Sequence, residues 1–301
     1  MVRIAYSPVY KYQLPDGHRF PMEKYELIPE QLLYEGTIEE SQFFHPEALS
    51  EENILRTHTQ DYWDKLRTQT LSRKEERTIG FPMREALISR GRFIAQGTLD
   101  CARFALAGEQ CALNIAGGTH HSFADRGEGF CVYNDMGIAS NVLLHQKEVS
   151  KILIIDLDVH QGNGTAKIFA NEDRVFTFSV HGAKNFPHRK EKSDLDIGLP
   201  DKTKDDEYLS VVRKYVPELI EQVKPDFVFY LSGVDILETD KLGRLSCTIR
   251  GCKTRDEIVF EQIKKYDLPV AVSMGGGYSE RVADIVEAHA NTYRVAMDVF
   301  S

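Results

Sequence analysis

The chain has 301 residues, with 37 basic and 46 acidic side chains and a formal net charge of −9. Hydrophobic residues make up 42% of it and charged residues 28%, a balance typical of folded globular proteins rather than disordered ones. The acidic excess argues against general binding to nucleic acid and favours cationic substrates or partners. The length suits one large α/β domain, and we expect residues 1–301 to form a single domain.

No apolar run approaches the roughly 18 residues that a membrane span needs. Residues 1–18 contain an early proline and charges in place of the apolar centre of a secretory signal. The five cysteines show no CxxC spacing, which disfavours a cysteine zinc site and predicts reduced thiols. We therefore expect a cytoplasmic protein.

Short strands alternate with helical patterns along the chain. Six β-branched or aromatic runs are apolar on both faces, which is typical of parallel strands covered by helices: Val2–Tyr6, Cys111–Ala116, Lys151–Asp158, Val175–Val180, Asp226–Ser232 and Pro269–Met274. Five stretches have helical spacing: Arg84–Ala107, Met136–Lys147, Asp206–Lys224, Thr254–Tyr266 and Ser279–Ala290. The alternation predicts a doubly wound α/β sheet, in which ligands bind beyond the carboxyl ends of the strands. Two charged, aperiodic stretches, 68–78 and 188–194, are predicted to be loops, either solvated surface or the mouth of a pocket.

The segment ILIIDLDVHQGNG, residues 152–164, runs from an apolar strand into two carboxylates and an imidazole. Asp156, Asp158 and His160 occupy every second position, so their side chains point the same way along an extended chain. Burying such a group without a cation is costly, and its nitrogen and oxygen donors suit zinc or another divalent ion. The alternative is that Asp156 caps a turn and His160 is a surface histidine.

Two further strand ends carry groups that fit the same chemistry. In CALNIAGGTHHSF, His120 and His121 follow a Gly-Gly break, and one of them could act as a general base near neutral pH. In FVFYLSGVDILETD, Asp235 can supply a third metal ligand, whereas Glu238 and Asp240 are expected to be solvated or to cap a turn.

A fourth strand end, VAVSMGGGYSE, delivers Tyr278 after three glycines, and no Lys-Ser/Thr follows, so the pattern of a phosphate-binding loop fails. Together the strand ends predict a metal site of Asp158, His160 and Asp235. Three protein ligands leave a position open for water, which is typical of a catalytic site. Adding two histidines as proton carriers and the Tyr278 hydroxyl gives a set sufficient for metal-assisted amide hydrolysis.

In these motifs the chain resembles the histone deacetylase family, including its bacterial, class IV-like and acetylpolyamine amidohydrolase members. The matching motifs are GGTHHSF, GEGFCVYNDMGIA, DLDVHQGNGT, TFSVH, SGVD and MGGGY, preceded by PDGHRFPMEKY near the N-terminus. The resemblance implies the arginase/deacetylase fold, an eight-stranded parallel sheet sandwiched between helices. It also implies a zinc-dependent hydrolase that removes acyl groups from amines, typically from the lysine of proteins.

The resemblance also implies a role for each matching residue. Zinc would be bound by Asp158, His160 and Asp235. The catalytic groups would be His121 as general base and later acid, His120 as its positively charged partner, and Tyr278 as hydrogen-bond donor to the acyl oxygen. A structural potassium ion would lie near Asp156 and Ser179, and the acyl-lysine channel would be lined by Gly129, Phe130 and Phe186.

Two departures from the family pattern concern Asn163 and the charged stretch 68–78. Many members have Asp at the position of Asn163, where its charge would orient His121; class IV-like and some bacterial members share Asn, and we expect activity to survive. The stretch 68–78 shows no match to the acidic residue that holds the peptide backbone at the rim of several members.

Three other functions remain as alternatives. The substrate could be an acetylpolyamine or another small acyl-amine, although the chain shows no room for the insertion those enzymes tend to carry. A two-manganese ureohydrolase would want a carboxylate two residues after Asp235, where Leu237 stands. A catalytically idle acyl-lysine binder would not need the complete set of catalytic groups.

Overall fold

Eight parallel strands form one sheet in the computed structural model, which describes residues 1–301. In chain order they are β1 Arg3–Ala5, β2 Phe43–Phe44, β3 Cys111–Asn114, β4 Ile152–Asp156, β5 Val175–Gly182, β6 Leu195–Leu199, β7 Phe227–Leu231 and β8 Val270–Ser273. Their order across the sheet is β2-β1-β3-β8-β7-β4-β5-β6, and every neighbouring pair is parallel. The four central strands, β3, β8, β7 and β4, are therefore the four whose ends carry the candidate motifs.

The six predicted strands are confirmed, and the two that the sequence did not indicate are the two edge strands. Phe43–Phe44 is only two residues long, too short to show a pattern. Leu195–Leu199 is mostly half-buried and contains a glycine, so it lacks the continuous apolar run of the central strands. In a sheet that is buried on both faces, the interior strands have continuous apolar sequences, whereas the edge strands show a weaker apolar pattern.

Ten α-helices connect and cover the strands. They are α1 Lys24–Tyr34, α2 Glu51–Ile54, α3 Gln60–Arg67, α4 Arg73–Ile79, α5 Glu85–Phe104, α6 Asp135–Gln146, α7 Asn163–Ile168, α8 Asp205–Val223, α9 Ile249–Lys265 and α10 Val282–Phe300. All five predicted helices are confirmed, and the last runs ten residues further than expected, to Phe300. None of the ten combines the length and the apolarity needed to cross a membrane.

The prediction of a loop over residues 68–78 is wrong, because α4 begins at Arg73. A reciprocal capping box starts this helix: the Glu75 amide donates to the Ser72 hydroxyl at 3.3 Å, and the Ser72 amide donates to the Glu75 carboxylate at 2.7 Å. A short helix with little buried surface shows no apolar periodicity. The second predicted loop, 188–194, contains neither helix nor strand and is confirmed.

The core is one cluster of 84 buried hydrophobic residues spread over both faces of the sheet. Helix α5 packs on α6 and on strands β1, β3 and β8, whereas α8, α9, α10 and α1 pack against one another in a continuous row. All five cysteines are buried and unpaired, as the sequence predicts. Layers of helix, sheet and helix leave only the strand ends free to form a site.

Candidate active site

The loops that follow β3, β8, β7 and β4 converge at the carboxyl edge of the sheet. Two glycines permit the close approach. Gly118, at a φ of +70°, would place an added Cβ 2.7 Å from the Gly275 Cα, and a Cβ on Gly276 would lie 2.2 Å from an Asp235 oxygen. A side chain at either position would push the loops apart, so the close approach of the loops requires glycine at both.

The three predicted metal ligands lie together at this edge. Asp158, His160 and Asp235 each offer one donor atom, and these atoms all lie within 4.8 Å of one another. His160 Nδ1 is 3.0 Å from Asp158 Oδ1 and 3.0 Å from Asp235 Oδ2. The other oxygen of each carboxylate accepts a backbone N–H, from Gly276 and from Val159, at 2.9 Å in both cases. Backbone bonds thus aim the remaining oxygens at a common point.

The donor set fits a divalent cation on chemical grounds. Two carboxylates, both at most 2% exposed, face each other across an imidazole. Burial, followed by the charge of Asp158, raises the pKa of Asp235 to about 7. For His160, burial opposes the charged form, but its bonds to the two carboxylates outweigh burial and raise its pKa to about 10. A cation would neutralise both carboxylates, and one nitrogen with two oxygens suits zinc.

The adjacent histidines of GGTHHSF differ in their partners. His120 Nδ1 lies 2.7 Å from Asp156 Oδ2, whereas His121 Nδ1 donates to the Asn163 amide oxygen at 2.6 Å. Burial lowers the pKa of His120, but the charges of Asp156 and Asp158 outweigh it and raise the value to about 9. Burial, and then the positive charges of His120 and His160, hold the pKa of His121 well below its usual range. One imidazole is therefore cationic and the other neutral at pH 7, with the Nε2 lone pair of His121 free to accept a proton.

Tyr278 projects into the site from the triple-glycine loop. Its backbone N–H donates to Asp240 Oδ2 at 2.6 Å, and its ring centroid lies 6.5 Å from that of His160. Burial, and then the charges of Asp158 and Asp235, raise the pKa of the Tyr278 hydroxyl well above its usual range. The hydroxyl therefore stays protonated and can donate a hydrogen bond.

Aromatic rings line the approach to these groups. The ring centroid of Phe186 lies 4.9 Å from that of His121, and the ring centroid of Phe130 lies 6.0 Å from that of Tyr278. A Cβ on Gly129 would come within 2.8 Å of His121 and 3.1 Å of Phe186, so only glycine keeps this wall open. Outside lies a cavity of about 450 Å³, and a second cavity of about 40 Å³ continues inward past Tyr278 to Arg90.

Most of the chain matches a known protein family. Residues 18–293 match the family model of the histone deacetylase domain. The chain belongs to the histone deacetylase family.

Relatives of this family member span plants and bacteria. An uncharacterised protein of Picosynechococcus is 40% identical over 99% of both chains. Histone deacetylase 2 of Arabidopsis thaliana is 28% identical over 95% of this chain and 76% of its own length. The acetoin utilization protein AcuC of Staphylococcus xylosus is 27% identical over 89% of this chain and 74% of its own.

Solved structures agree on the fold. The crystal structure of the HDA15 HD domain matches with a TM-score of 0.85 at 20% identity, covering 99% of this chain and 88% of that one. An HDAC homolog from Aquifex aeolicus matches with a TM-score of 0.83 at 24% identity, covering 97% of this chain and 82% of that one. The expected arginase/deacetylase fold is therefore confirmed.

Asp156 and Ser179, which the family resemblance links to potassium, are register partners on β4 and β5. Asp156 Oδ1 accepts the Asp158 N–H at 3.1 Å, and Ser179 Oγ lies 3.0 Å from His181 Nδ1. Both side chains are buried. Asp156 can therefore influence Asp158 through its backbone and His120 through its ring.

Three residues around the site make contacts that the sequence does not indicate. Asp240, expected to be solvated or a cap, does cap a turn, but it also accepts the Tyr278 N–H. Lys24 is fully buried, donates to the Gly275 carbonyl at 3.2 Å and has no carboxylate within 4.0 Å. Arg255 is fully buried in α9 and donates to the backbone of the β7 end. The hydrogen bonds of Lys24 and Arg255 reach residues that are 251 and 22 positions away in the sequence, respectively, so local spacing could not reveal these contacts.

Proposed function

We propose that this histone deacetylase family member is a zinc-dependent amidohydrolase that removes acetyl or longer acyl groups from the ε-amine of lysine in proteins. The proposal rests on one observation: a three-donor group, a neutral imidazole and a protonated phenol converge at the end of one aromatic channel. When bound by Asp158, His160 and Asp235, zinc would supply a Lewis acid that polarises the amide carbonyl and acidifies the attacking water.

His121 is proposed to move the protons of the reaction. Its Nδ1–H is engaged by Asn163, so Nε2 is the atom that accepts the proton of the attacking water and later returns it to the departing amine. Its lowered pKa keeps it unprotonated before the reaction begins. The cationic ring of His120, 4.2 Å away between centroids, favours the negative charge that develops beside it.

Tyr278 is proposed to donate its hydroxyl hydrogen to the acyl oxygen as that oxygen becomes negative. Because the loop is fixed by the bond to Asp240, the donor is already in place and needs no reorganisation. Phe130 and Phe186 offer apolar faces to the alkyl stem of an acylated lysine, which carries no charge. Asp156 and Ser179 would hold a structural potassium ion, and we expect the protein to act in the cytoplasm.

A substrate panel with metal removal tests the proposal. The purified protein is given lysine peptides and polyamines carrying acetyl to myristoyl groups, with and without a zinc chelator and with zinc restored afterwards. We expect acyl-lysine peptides to be hydrolysed, the activity to disappear with chelation and to return with zinc. Unchanged hydrolysis after chelation would refute the metal role, and turnover of acetylpolyamines alone would assign the small-amine alternative.

A further inference from the structure

The outer cavity opens between loops that carry basic side chains. We define the mouth as the residues that line this cavity outside the aromatic channel: Arg19, Arg77, Thr78, Glu128, His188 and Leu242. Arg19 and Arg77 are both exposed, and Glu128 is the one carboxylate among the six. The mouth therefore has a positive balance in a chain whose overall charge is −9.

Neither mouth arginine is neutralised by the protein. No carboxylate lies within 4.0 Å of the Arg19 or Arg77 guanidinium, whereas the exposed Arg174 and Arg244 both have such partners. Arg77 Nε donates to the Arg73 carbonyl at 3.1 Å, which leaves its two terminal nitrogens unpaired. Most of the donor capacity of both groups is thus directed to solvent or to a ligand.

The position of Arg19 links the charge to the channel. Its guanidinium carbon lies 5.0 Å from the ring centroid of Phe130, the same ring that stands 6.0 Å from Tyr278. A cation on an aromatic face is held in place rather than free to rotate away. Arg19 therefore places a positive charge beside a ring that lines the channel.

Glu128 does not cancel the two arginines. It is half-buried in the wall, its backbone pairs with Cys131, and burial raises the pKa of its carboxyl. Its carboxylate forms no ion pair with either Arg19 or Arg77, since neither has a carboxylate within 4.0 Å. The arginines are therefore available to an anionic ligand.

Building on the proposed function, we propose that the mouth selects acyl-lysine with acidic residues on either side of it. Carboxylates one or two residues from the acylated lysine can reach the guanidiniums while the lysine stem occupies the channel. Acetylated polyamines carry ammonium groups near the acylated nitrogen and are repelled by the same charges. Exposed ion pairs of this kind change affinity by about two- to fivefold each, so two of them give about a tenfold preference.

Three acetyl-lysine peptides, identical except for Glu, Gln or Lys at the four flanking positions, test the proposal beside acetylspermidine. We expect kcat/KM to fall from the Glu to the Gln to the Lys peptide, about tenfold or more in total, and the range to shrink at high salt. In R19Q/R77Q the ratio of kcat/KM for the Glu peptide to kcat/KM for the Lys peptide should fall toward one. In R19K/R77Q the lysine should restore the part of this ratio that Arg19 contributes. Arg73→Gln, an exposed arginine one turn earlier in α4, is the matched control and should keep the full ratio.

The outcomes separate this inference from the function on which it rests. Turnover of all three peptides at equal rates, or a double variant that keeps the preference, overturns the inference and leaves the hydrolase intact. Absence of turnover on the Gln peptide counts against the proposed function instead. Peptide affinity measured by fluorescence anisotropy still tests the mouth in that case, because equal affinity for the Glu and Lys peptides would overturn it.

Discussion

The floor of the site, which we define as Asp158, His160 and Asp235, differs from its mouth in burial and in charge pairing. At the floor, every oxygen of the Asp158 and Asp235 carboxylates has a hydrogen-bond partner, and both side chains are buried. At the mouth, two guanidiniums are exposed and have no carboxylate partner. Under the proposed function, changes at the floor should alter whether the reaction occurs, whereas changes at the mouth should alter which substrates are bound.

Arg255 shows how far the support of the floor extends. Its guanidinium donates to the carbonyls of Gly233 at 2.5 Å and Ser232 at 3.3 Å, in the turn that leads to Asp235. It is paired with Asp256, which also accepts the Tyr230 hydroxyl at 2.5 Å. Because the buried Arg255 donates hydrogen bonds to the carbonyls of this turn, it restricts the position of Asp235 more firmly than packing alone would.

Replacing His121 should have the largest effect on the reaction. His121→Ala removes the proposed proton acceptor, and we expect kcat to fall by about 10²–10⁴-fold on every peptide, whatever its flanking charge. Zinc affinity should stay close to that of the unmodified protein, because His121 is not among the three converging donors. Steady-state kinetics and a zinc competition titration measure the two effects, and a loss of kcat below tenfold would remove His121 from the role of base.

Replacing Arg255 should destabilise the fold, including the turn that leads to Asp235. Arg255→Leu leaves Asp256 charged and unpaired in the core, and we expect the free energy of unfolding to fall by about 3–5 kcal/mol. Denaturant unfolding measures this, with Arg250→Leu, an exposed position of the same helix, as control. Equal stability of the two variants would show that the buried pair does not stabilise the fold.

Tyr278→Phe should act on the chemistry without disturbing the loop. The bond from the backbone N–H to Asp240 remains, so only the hydroxyl donor is lost. We expect kcat to fall by about 10²–10³-fold, the cost of one oxyanion donor, while KM and the thermal midpoint change little. The variant would contradict the proposed role if it kept more than a third of the activity.

What the sequence predicted follows the same division. The six inner strands were predictable because apolar runs are a local pattern. The convergence of Asp158, His160 and Asp235 was predictable because each follows an apolar strand, and the carboxyl ends of parallel strands meet at one edge of the sheet. Helix α4 was missed because its residues are mostly polar and its start depends on a capping box rather than on periodicity. Lys24 and Arg255 were missed because an isolated basic residue within a helical stretch is normally exposed, and only the tertiary structure buries them.

The smallest of the four effects concerns Asn163. Asn163→Asp would place a carboxylate at the acceptor of the His121 Nδ1–H, now 2.6 Å from a neutral amide oxygen. The negative charge favours the imidazolium, so the pKa of His121 should rise from its present lowered value. Because the base must be unprotonated to act, the acidic limb of kcat/KM should move to higher pH. Asn163→Ala removes the acceptor without adding charge, and a limb that moves equally in both variants would show that orientation, not charge, sets the His121 pKa.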